Sequence, residues 1–397
     1  MRVTNTATYR NFTTSVNSVH QQLNRSLNKI SSGELYEKAA ESPLSYYRGK
    51  RIDDQYLDAL GKSTLLTDIK NRLYQQELGA RDIQKILANG KNKVQEARTG
   101  TSSDESLQTL RDDLLQKQHE IIDDLNAQYE NFYIYGGNDL STPPFSLSAD
   151  GKTLTFSHSF PQHSDAENPV TITMELKYDQ TTPYSFEITG ATTKDGTAIA
   201  TNDAQDLIIA AMSEQGRMDI GYGDIRDRET LLDTFTGGFN VLTGLNSDKI
   251  INLEKDTTID TWTEIQNRLN KSPLALIGGA VQAIDTYLAV DPTDPDARSA
   301  AKEQLHKDLG TTIQDMTETE HWVSTVYSDL GNKYRLLEDT DTKLKTLQDS
   351  LTEQYTNLLG ADPYESIMEM YNNQYAYNAA LRVGNNLMNT SLFDFVR

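Results

Sequence analysis

The sequence contains no cysteine, which excludes disulfide bonds and metal sites built from thiolates. It also lacks any run of about 18 apolar residues, the length that would suggest a membrane-spanning helix. The first 15 residues are polar and lack the apolar core of a signal peptide. We therefore expect a cytoplasmic protein, or one exported by a route that uses no cleaved hydrophobic signal.

Basic residues are scarce, since 37 lysines and arginines stand against 58 aspartates and glutamates and give a net charge of −21. A surface this acidic repels nucleic acid and anionic lipid, so we expect neither nucleic acid nor a membrane as a partner. The length of 397 residues suffices for about two or three domains.

Catalytic patterns are missing as well. The nearest approach to the zinc motif His-Glu-x-x-His begins at His119-Glu120, but Asp123 stands in place of the second histidine. Neighbouring acidic residues on a helix diverge by about 100° and do not converge on one substrate. We therefore predict no catalytic residues, no metal ion and no cofactor. An enzyme carried on the central region, whose histidines are His158 and His163, is a remote alternative.

The chain does contain a long seven-residue apolar repeat near its C-terminus, between His321 and Gly360. The repeat positions hold Val323, Leu330, Leu337, Leu344, Leu351 and Leu358. Such a repeat predicts a helix that lies along other helices, and this one would be roughly 60 Å long. The remaining seam positions, Lys333, Thr340 and Gln354, are too polar for a two-stranded zipper. They favour an antiparallel bundle with one edge against neighbouring subunits.

The N-terminal third contains helices with a similar pattern. A long helix is predicted from Tyr46 to Gly90, with weak breaks at Asn89-Gly90 and Thr99-Gly100, and another from Ser103. The inward positions of these helices are predicted to hold Ile69, Leu73, Ile83, Leu87, Leu114 and Ile121. Together with the C-terminal repeat, these residues form the predicted core of a long antiparallel helical rod.

Each end of the chain carries one further amphipathic helix. The stripe of the first helix consists of Val16, Val19, Leu23 and Ile30. Gly33 suits the end of this helix, and Pro43 suits the first turn of the next. The last helix is predicted over residues 364–389, with Ile367, Met370, Tyr377, Leu381 and Met388 on one face. Neither stripe can be buried alone, so we expect the two helices to pack together.

The central region has a different pattern. Thr142-Pro143-Pro144 excludes helix, and short alternating runs follow at 153–156, 170–177 and 184–188. One helix is expected at 203–214, with loops and further short strands at 216–247. Beyond two more helices and a turn, Asp296 is the expected cap of the last long helix.

The predicted fold class is mainly α with a β-rich insertion. Residues 1–43 and 361–397 are predicted to be terminal helices of a tube core. The two halves of the rod are predicted at 44–140 and 263–360, and the β-rich variable outer domain at 141–262.

Three stretches resemble one family. Ser31-Ser32-Gly33 and Ala40-Glu41-Ser42-Pro43 are similar to the N-terminal signature of bacterial flagellins and hook-associated proteins, which usually have Asp-Asp before the proline. Residues 131–137, ending in Gly136-Gly137, and Thr142-Pro143-Pro144-Phe145 resemble the corresponding junction of the hook-associated protein 3 family. The ending 389–396 is similar to the C-terminus of that family. The resemblance covers about residues 1–145 and 260–397.

The resemblance implies a flagellin-like fold and a structural subunit that joins the flagellar hook to the filament, with flagellin itself as the alternative. It implies export by the flagellar type III apparatus to the outside of the cell. The implied partners are copies of the chain in a helical ring or tube, hook-associated protein 1, flagellin and an export chaperone. The expected assembly interface consists of Val16, Val19, Leu23, Ile30, Ile367, Met370, Tyr377, Leu381, Met388, Leu392, Phe393 and Phe395.

Overall fold

The structure is a computed structural model that describes residues 2–36, 38–99, 103–137, 139–160, 169–178, 184–213, 217–219, 231–233, 236–256 and 258–393. These residues are mainly helical with a small antiparallel sheet, which confirms the predicted fold class. The chain divides into two compact units. Unit 1 is Met1–Thr64 with Asp341–Arg397, and unit 2 is Leu65–Thr340. The five-part domain division has other boundaries and stays a prediction.

The described part of the chain contains ten helices. They are α1 (Arg2–Ser32), α2 (Pro43–Thr99), α3 (Asp104–Leu125), α4 (Thr201–Ser213), α5 (Gly238–Thr243), α6 (Ser247–Lys255), α7 (Thr261–Asn270), α8 (Pro273–Leu288), α9 (Pro295–Leu359) and α10 (Pro363–Phe393). The longest two, α2 and α9, have 57 and 65 residues and contribute to both units.

Helix α2 is continuous, so the break predicted at Asn89-Gly90 is wrong. Gly90 is buried inside the helix, where an added Cβ would lie 3.4 Å from Ile277 of α8. Glycine at this position therefore permits close packing between helices. The start of α9 also differs from the prediction, because Asp294 and not Asp296 caps it: its Oδ1 accepts the N–H of Ala297 at 3.0 Å.

In unit 2, α2 lies antiparallel to α9. Lys91 Nζ is 2.6 Å from Glu320 Oε2, and the guanidinium of Arg81 lies 5.3 Å from the ring centroid of Tyr327. Apolar residues at seven-residue spacing are buried on both helices. They are Leu66, Leu73, Ala80, Leu87 and Val94 on α2, and Met316, Val323, Leu330 and Leu337 on α9. This spacing on both helices is the pattern of an antiparallel helical seam.

Unit 2 also contains the strands. The described strands are β1 (Gln128–Tyr129), β2 (Phe132–Tyr133), β3 (Phe145–Leu147), β4 (Thr153–His158), β5 (Val170–Lys177), β6 (Ser185–Thr192), β7 (Arg217–Asp219) and β8 (Leu231–Asp233). Strands β3 to β6 form one antiparallel sheet in sequence order. Phe145 of β3 pairs with Phe156 of β4, and both rings contact Phe239 of α5. This aromatic cluster fixes one end of the sheet against a helix.

Part of the segment predicted as loops and short strands at 216–247 is helical. Strands β7 and β8 lie in it, but α5 is a buried helix. Gly238 in its first turn packs against the ring of Phe145, and the side chain of Asn240 donates to the carbonyls of Met212 and Leu245. The glycine-rich composition suggested a loop, and tertiary packing overrides that preference.

Candidate assembly surface

Unit 1 contains the two terminal helices, α1 and α10, which pack antiparallel as the sequence led us to expect. Four contacts follow each other along the pair. They join Lys29 to Glu369, Ser26 to Asn373, His20 to Tyr377, and Phe12 to Gly384. Residue numbers fall along α1 while they rise along α10, which defines the antiparallel direction.

Main-chain hydrogen bonds tie the connections at one end of this pair. The N–H of Leu35 donates to the carbonyl of Leu359 at 2.6 Å, and the N–H of Ala361 donates to the carbonyl of Gly33 at 2.8 Å. Gly33 has a φ of +72°, a conformation that glycine adopts without steric cost at a helix C-terminus. The loop after α1 is thereby joined to the segment that precedes α10.

Unit 1 buries few of its apolar side chains. Its buried hydrophobic residues, among those described, are Ala59, Leu344, Leu351 and Leu359. In contrast, 15 of the 20 exposed large hydrophobic residues on the described chain belong to this unit, which is less than a third of the sequence. Large contiguous apolar surfaces of this kind mark interaction sites. Unit 1 is therefore the candidate assembly surface.

One face of α10 contributes four of these exposed residues at spacings of four, three and four. Tyr364, Met368, Tyr371 and Tyr375 are exposed by 85%, 59%, 59% and 79%, and we call them the tyrosine face. Each lies two residues before a position on the side that faces α1, and two residues correspond to about 200° of helix rotation. The tyrosine face therefore points away from α1, and α10 is apolar on two opposite sides.

Charge is divided unequally between the two units. Unit 1 has 13 basic and 13 acidic residues, whereas unit 2 has 24 basic and 45 acidic residues. The whole net charge of −21 therefore belongs to unit 2. Helix α1 has four basic residues and no acidic one. A neutral unit with exposed apolar side chains can approach a copy of itself without a large electrostatic penalty.

The residues predicted for the assembly interface lie mostly along the α1–α10 seam. Val16, Val19, Leu23, Met370 and Tyr377 are half-buried. Ile30, Ile367 and Leu381 are exposed by 39%, 41% and 47%. The side chains of Met388, Leu392 and Phe393 and the whole of Phe395 lie outside the described residues. Part of the predicted interface is thus already covered inside the chain, and its role in assembly stays a prediction.

Sequence reasoning missed the tyrosine face. The signal was present, because its four residues have heptad spacing of their own. Only one stripe on the last helix was considered, and it is the stripe that faces α1. Other exposed apolar residues of unit 1 that the sequence reasoning did not select are Tyr9, Leu27, Leu44, Tyr46, Tyr47, Leu57, Leu60 and Val383.

The residues predicted for the rod core are buried within the unit to which each belongs, with one exception. In unit 2, Ile69, Leu73, Ile83, Leu87, Leu114, Ile121, Val323, Leu330 and Leu337 are buried. In unit 1, Leu344 and Leu351 are buried, whereas Leu358 is half-buried and its neighbour Leu359 is the buried residue. A common rod that contains all of them stays a prediction.

Burial shifts the pKa values of ionisable side chains in unit 2, Arg72 and Asp124 among them. Burial lowers the pKa of Arg72 to about 10, and its guanidinium donates to the carbonyl of Gly137 at 3.4 Å. Burial, together with the carboxylates of Asp82, Asp123 and Glu120, raises the pKa of Asp124 to about 6. The described residues contain no group of three His, Asp or Glu side chains placed to hold a metal ion.

The hydroxyl of Tyr135 donates to the carbonyl of Gln76, and Gln76 Nε2 donates to the carbonyl of Ile134 at 2.5 Å. These contacts hold the Gly136-Gly137 segment against α2. None of the helices in the described part is both long and apolar enough to cross a membrane.

No protein-family profile and no curated protein matches the sequence. Solved structures that the chain is similar to include flagellar hook-associated proteins. One from Vibrio parahaemolyticus has a TM-score of 0.48 at 10% identity and covers 81% of this chain and 100% of its own. FlgL of Bacillus cereus has a TM-score of 0.36 at 12% identity, and the match covers 79% of this chain and 100% of FlgL. Hook-associated protein 3 of Legionella pneumophila has a TM-score of 0.32 at 12% identity, and the match covers 80% of this chain and 98% of that protein.

Proposed function

We propose that the chain is a structural subunit of the bacterial flagellum that joins the hook to the filament. The motifs at Ser31-Ser32-Gly33, Gly136-Gly137 and the C-terminus support this position by their resemblance to hook-associated proteins. On this proposal the chain is exported by the flagellar type III apparatus, after a chaperone has bound it in the cytoplasm. It then acts outside the cell between hook-associated protein 1 and flagellin, by assembly and not by catalysis.

The observation that carries the proposal is the exposed apolar surface of unit 1, above all the tyrosine face of α10. A helix that is apolar on opposite sides belongs between two layers, and α1 of the same chain covers only one side. A second copy of the chain supplies the other layer. Complete burial of a large apolar side chain contributes about 1.5–3 kcal/mol, so four such residues give an appreciable driving force before the costs of association.

Whether the copies form a closed dimer or a repeating assembly depends on whether the contact joins like or unlike surfaces. The tyrosine face of one copy would meet a different surface of the next copy. Such a heterologous contact repeats from subunit to subunit and generates a ring or a helical tube. Both forms suit a hollow junction through which further subunits pass.

Substitutions on the tyrosine face test the proposal in the full-length chain. We expect Met368→Asp with Tyr371→Asp to leave a folded monomer that does not assemble, because each carboxylate would have to be desolvated at the contact. The matched control is Asn372→Asp, an exposed neighbour outside the tyrosine face. Sedimentation velocity measures assembly, and swimming of a complemented deletion strain measures function. Normal assembly and swimming of the double variant would contradict the mechanism.

The position in the flagellum needs a separate experiment. Immunogold labelling of intact flagella with an antibody against the chain should label the boundary between hook and filament. Label along the whole filament would show flagellin instead. Absence of label from the flagellum would remove the proposed function altogether, whatever the tyrosine-face variants do in solution.

A further inference from the structure

We infer that Ser26 and Asn373 decide which side of α10 packs against α1. Ser26 is the one fully buried side chain among those described on α1. Its Oγ donates to the carbonyl of Gln22 at 2.9 Å and accepts the Nδ2–H of Asn373 at 2.6 Å. Asn373 Nδ2 is also 3.4 Å from the carbonyl of Gln22. Three polar groups therefore satisfy one another at the position where the seam buries a side chain of α1 completely.

Hydrophobicity alone does not select the side of α10 that faces α1. The side now in contact offers Ile367, Met370, Tyr377 and Leu381, and the opposite side offers the four residues of the tyrosine face. Each side thus presents four large apolar or aromatic side chains. A rotation of α10 about its own axis would therefore exchange one apolar contact for another, and a more specific interaction has to favour the observed orientation.

The polar pair of buried Ser26 and half-buried Asn373 provides this preference. After rotation, Ser26 would face Tyr371 and Tyr375 in place of Asn373, and the side-chain amide of Asn373 would point to solvent. Loss of a buried polar partner costs about 1–3 kcal/mol, which corresponds to a population change of roughly fivefold to a hundredfold. A buried polar pair that selects one arrangement among similar apolar ones is well known from coiled coils.

A second contact favours the same side by shape. The ring of Phe12 lies over Gly384, where an added Cβ would be 2.5 Å from Cζ of the ring. After rotation the residue in this place would be Arg382, whose Cβ would lie where the ring now touches the glycine, so the ring would have to move. Glycine under an aromatic ring therefore supports the choice made by Ser26 and Asn373.

This choice leaves the tyrosine face exposed. Ser26 and Asn373 are thus positioning residues, since they contact each other inside the chain and set the orientation of the surface that would meet a second copy. The inference concerns the folded chain alone, so it holds or fails independently of the proposed place in the flagellum.

Cysteine cross-linking tests the inference directly, because the natural chain has no cysteine. His20→Cys with Tyr377→Cys reports the observed orientation, since these rings lie 5.3 Å apart. His20→Cys with Tyr375→Cys reports the rotated one. In the otherwise natural full-length chain, we expect a short bifunctional maleimide to cross-link the first pair and to cross-link almost none of the second.

Ser26→Leu should shift the cross-linking towards the second pair. It leaves Asn373 facing an apolar group, so the fraction cross-linked through position 375 should rise on the order of tenfold. Adding Asn373→Leu removes the unpaired amide and should restore the original pattern. The matched control is Asn24→Leu, an exposed position on α1, which should change nothing.

Two results would overturn the inference. One is an unchanged cross-linking pattern in Ser26→Leu at native helix content by circular dichroism. The other is failure of Asn373→Leu to restore the pattern, because the bulk of leucine would then be the cause. If Ser26→Leu loses its helix content, Ser26→Ala is measured in its place. A smaller shift towards position 375 is expected there, and no shift contradicts the inference.

Discussion

The side-chain amide of Asn126 forms hydrogen bonds with both main-chain polar groups of Phe145. Its Oδ1 accepts the N–H of Phe145 at 3.0 Å, and its Nδ2 donates to the carbonyl of the same residue at 2.6 Å. Phe145 begins β3, which is one edge of the four-stranded sheet. The amide of Asn126 therefore occupies the place that a further strand would take.

The other edge of this sheet is protected in the same way. On β6, the N–H of Phe186 donates to Asn270 Oδ1 at 2.9 Å, and Gln266 Nε2 donates to the carbonyl of Phe186 at 3.4 Å. Unpaired edge strands invite pairing with other chains, and proteins commonly cover them. Capped edges on both sides of the sheet are consistent with the proposed assembly through helices.

Asn126→Ala should destabilise unit 2. The substitution removes two hydrogen bonds and leaves the N–H and the carbonyl of Phe145 without these partners, so we expect a loss of about 1–3 kcal/mol in the free energy of unfolding. Urea denaturation followed by circular dichroism measures it. Gln128→Ala, at an exposed position in β1, is the control and should stay within about 0.5 kcal/mol of the natural chain. An equal effect of both substitutions would refute the role of Asn126.

Alanine substitutions at two helical glycines should change the stability of the chain in opposite directions. Gly61 in α2 has no atom within 4 Å of an added Cβ, so Gly61→Ala should stabilise its helix by about 0.5–1 kcal/mol. Gly279 in α8 lies against the ring of Tyr184, so Gly279→Ala should cost about 1–3 kcal/mol by overpacking. Thermal melting of both variants measures the contrast. A higher melting temperature in both variants would show that the ring of Tyr184 moves aside.

The stability of the chain should depend on the protonation of Asp124. Burial first, and then Asp82, Asp123 and Glu120, raise its pKa in the folded state to about 6 from a usual value of 3.8. Because the folded pKa is the higher one, the charged form opposes folding at neutral pH. This penalty is relieved as the pH falls from about 6 towards 4.

Asp124→Asn removes this contribution. The variant should be more stable than the natural chain at neutral pH by about 1 kcal/mol, which is less than the full pKa shift implies because solvent screens this half-buried carboxylate, and the difference should shrink in acid. Urea denaturation of both chains at pH values above and below the pKa of Asp124 measures it. A difference independent of pH would show that the carboxylate is not the cause.

The sequence predicts the fold where the spacing of apolar residues determines a helix. It does not predict contacts between segments that lie far apart in the chain. The apolar repeats of α2 and α9 indicated long helices lying along one another. The buried amides of Gln76 and Gln118 could not be foreseen, because their partners are the carbonyls of Ile134 and Leu274, far away in the chain. Spacing identifies a polar residue in a seam but does not identify a main-chain acceptor from elsewhere.

The candidate site was predictable only in part for a related reason. A single apolar stripe on the last helix was enough to predict that α1 and α10 pack together. Prediction of the tyrosine face would have required a second apolar stripe to be recognised on the same helix. Which stripe faces α1 depends on one polar contact, between Ser26 and Asn373, that composition and spacing do not reveal.

Assembly of the chain should strengthen with ionic strength. Unit 2 carries the whole charge of −21, so in the proposed assembly neighbouring copies would repel one another while the neutral unit 1 of each copy would make contact. The Debye length falls from about 30 Å at 0.01 M salt to about 8 Å at 0.15 M, which screens most of this repulsion. The concentration required for assembly should therefore fall on the order of tenfold over this range, measured by light scattering. Tyr371→Asp with Met368→Asp should give no scattering at either salt concentration, which separates assembly from aggregation. Weaker assembly at high salt would instead mean that attraction between charges, such as those of the basic helix α1, holds the copies together.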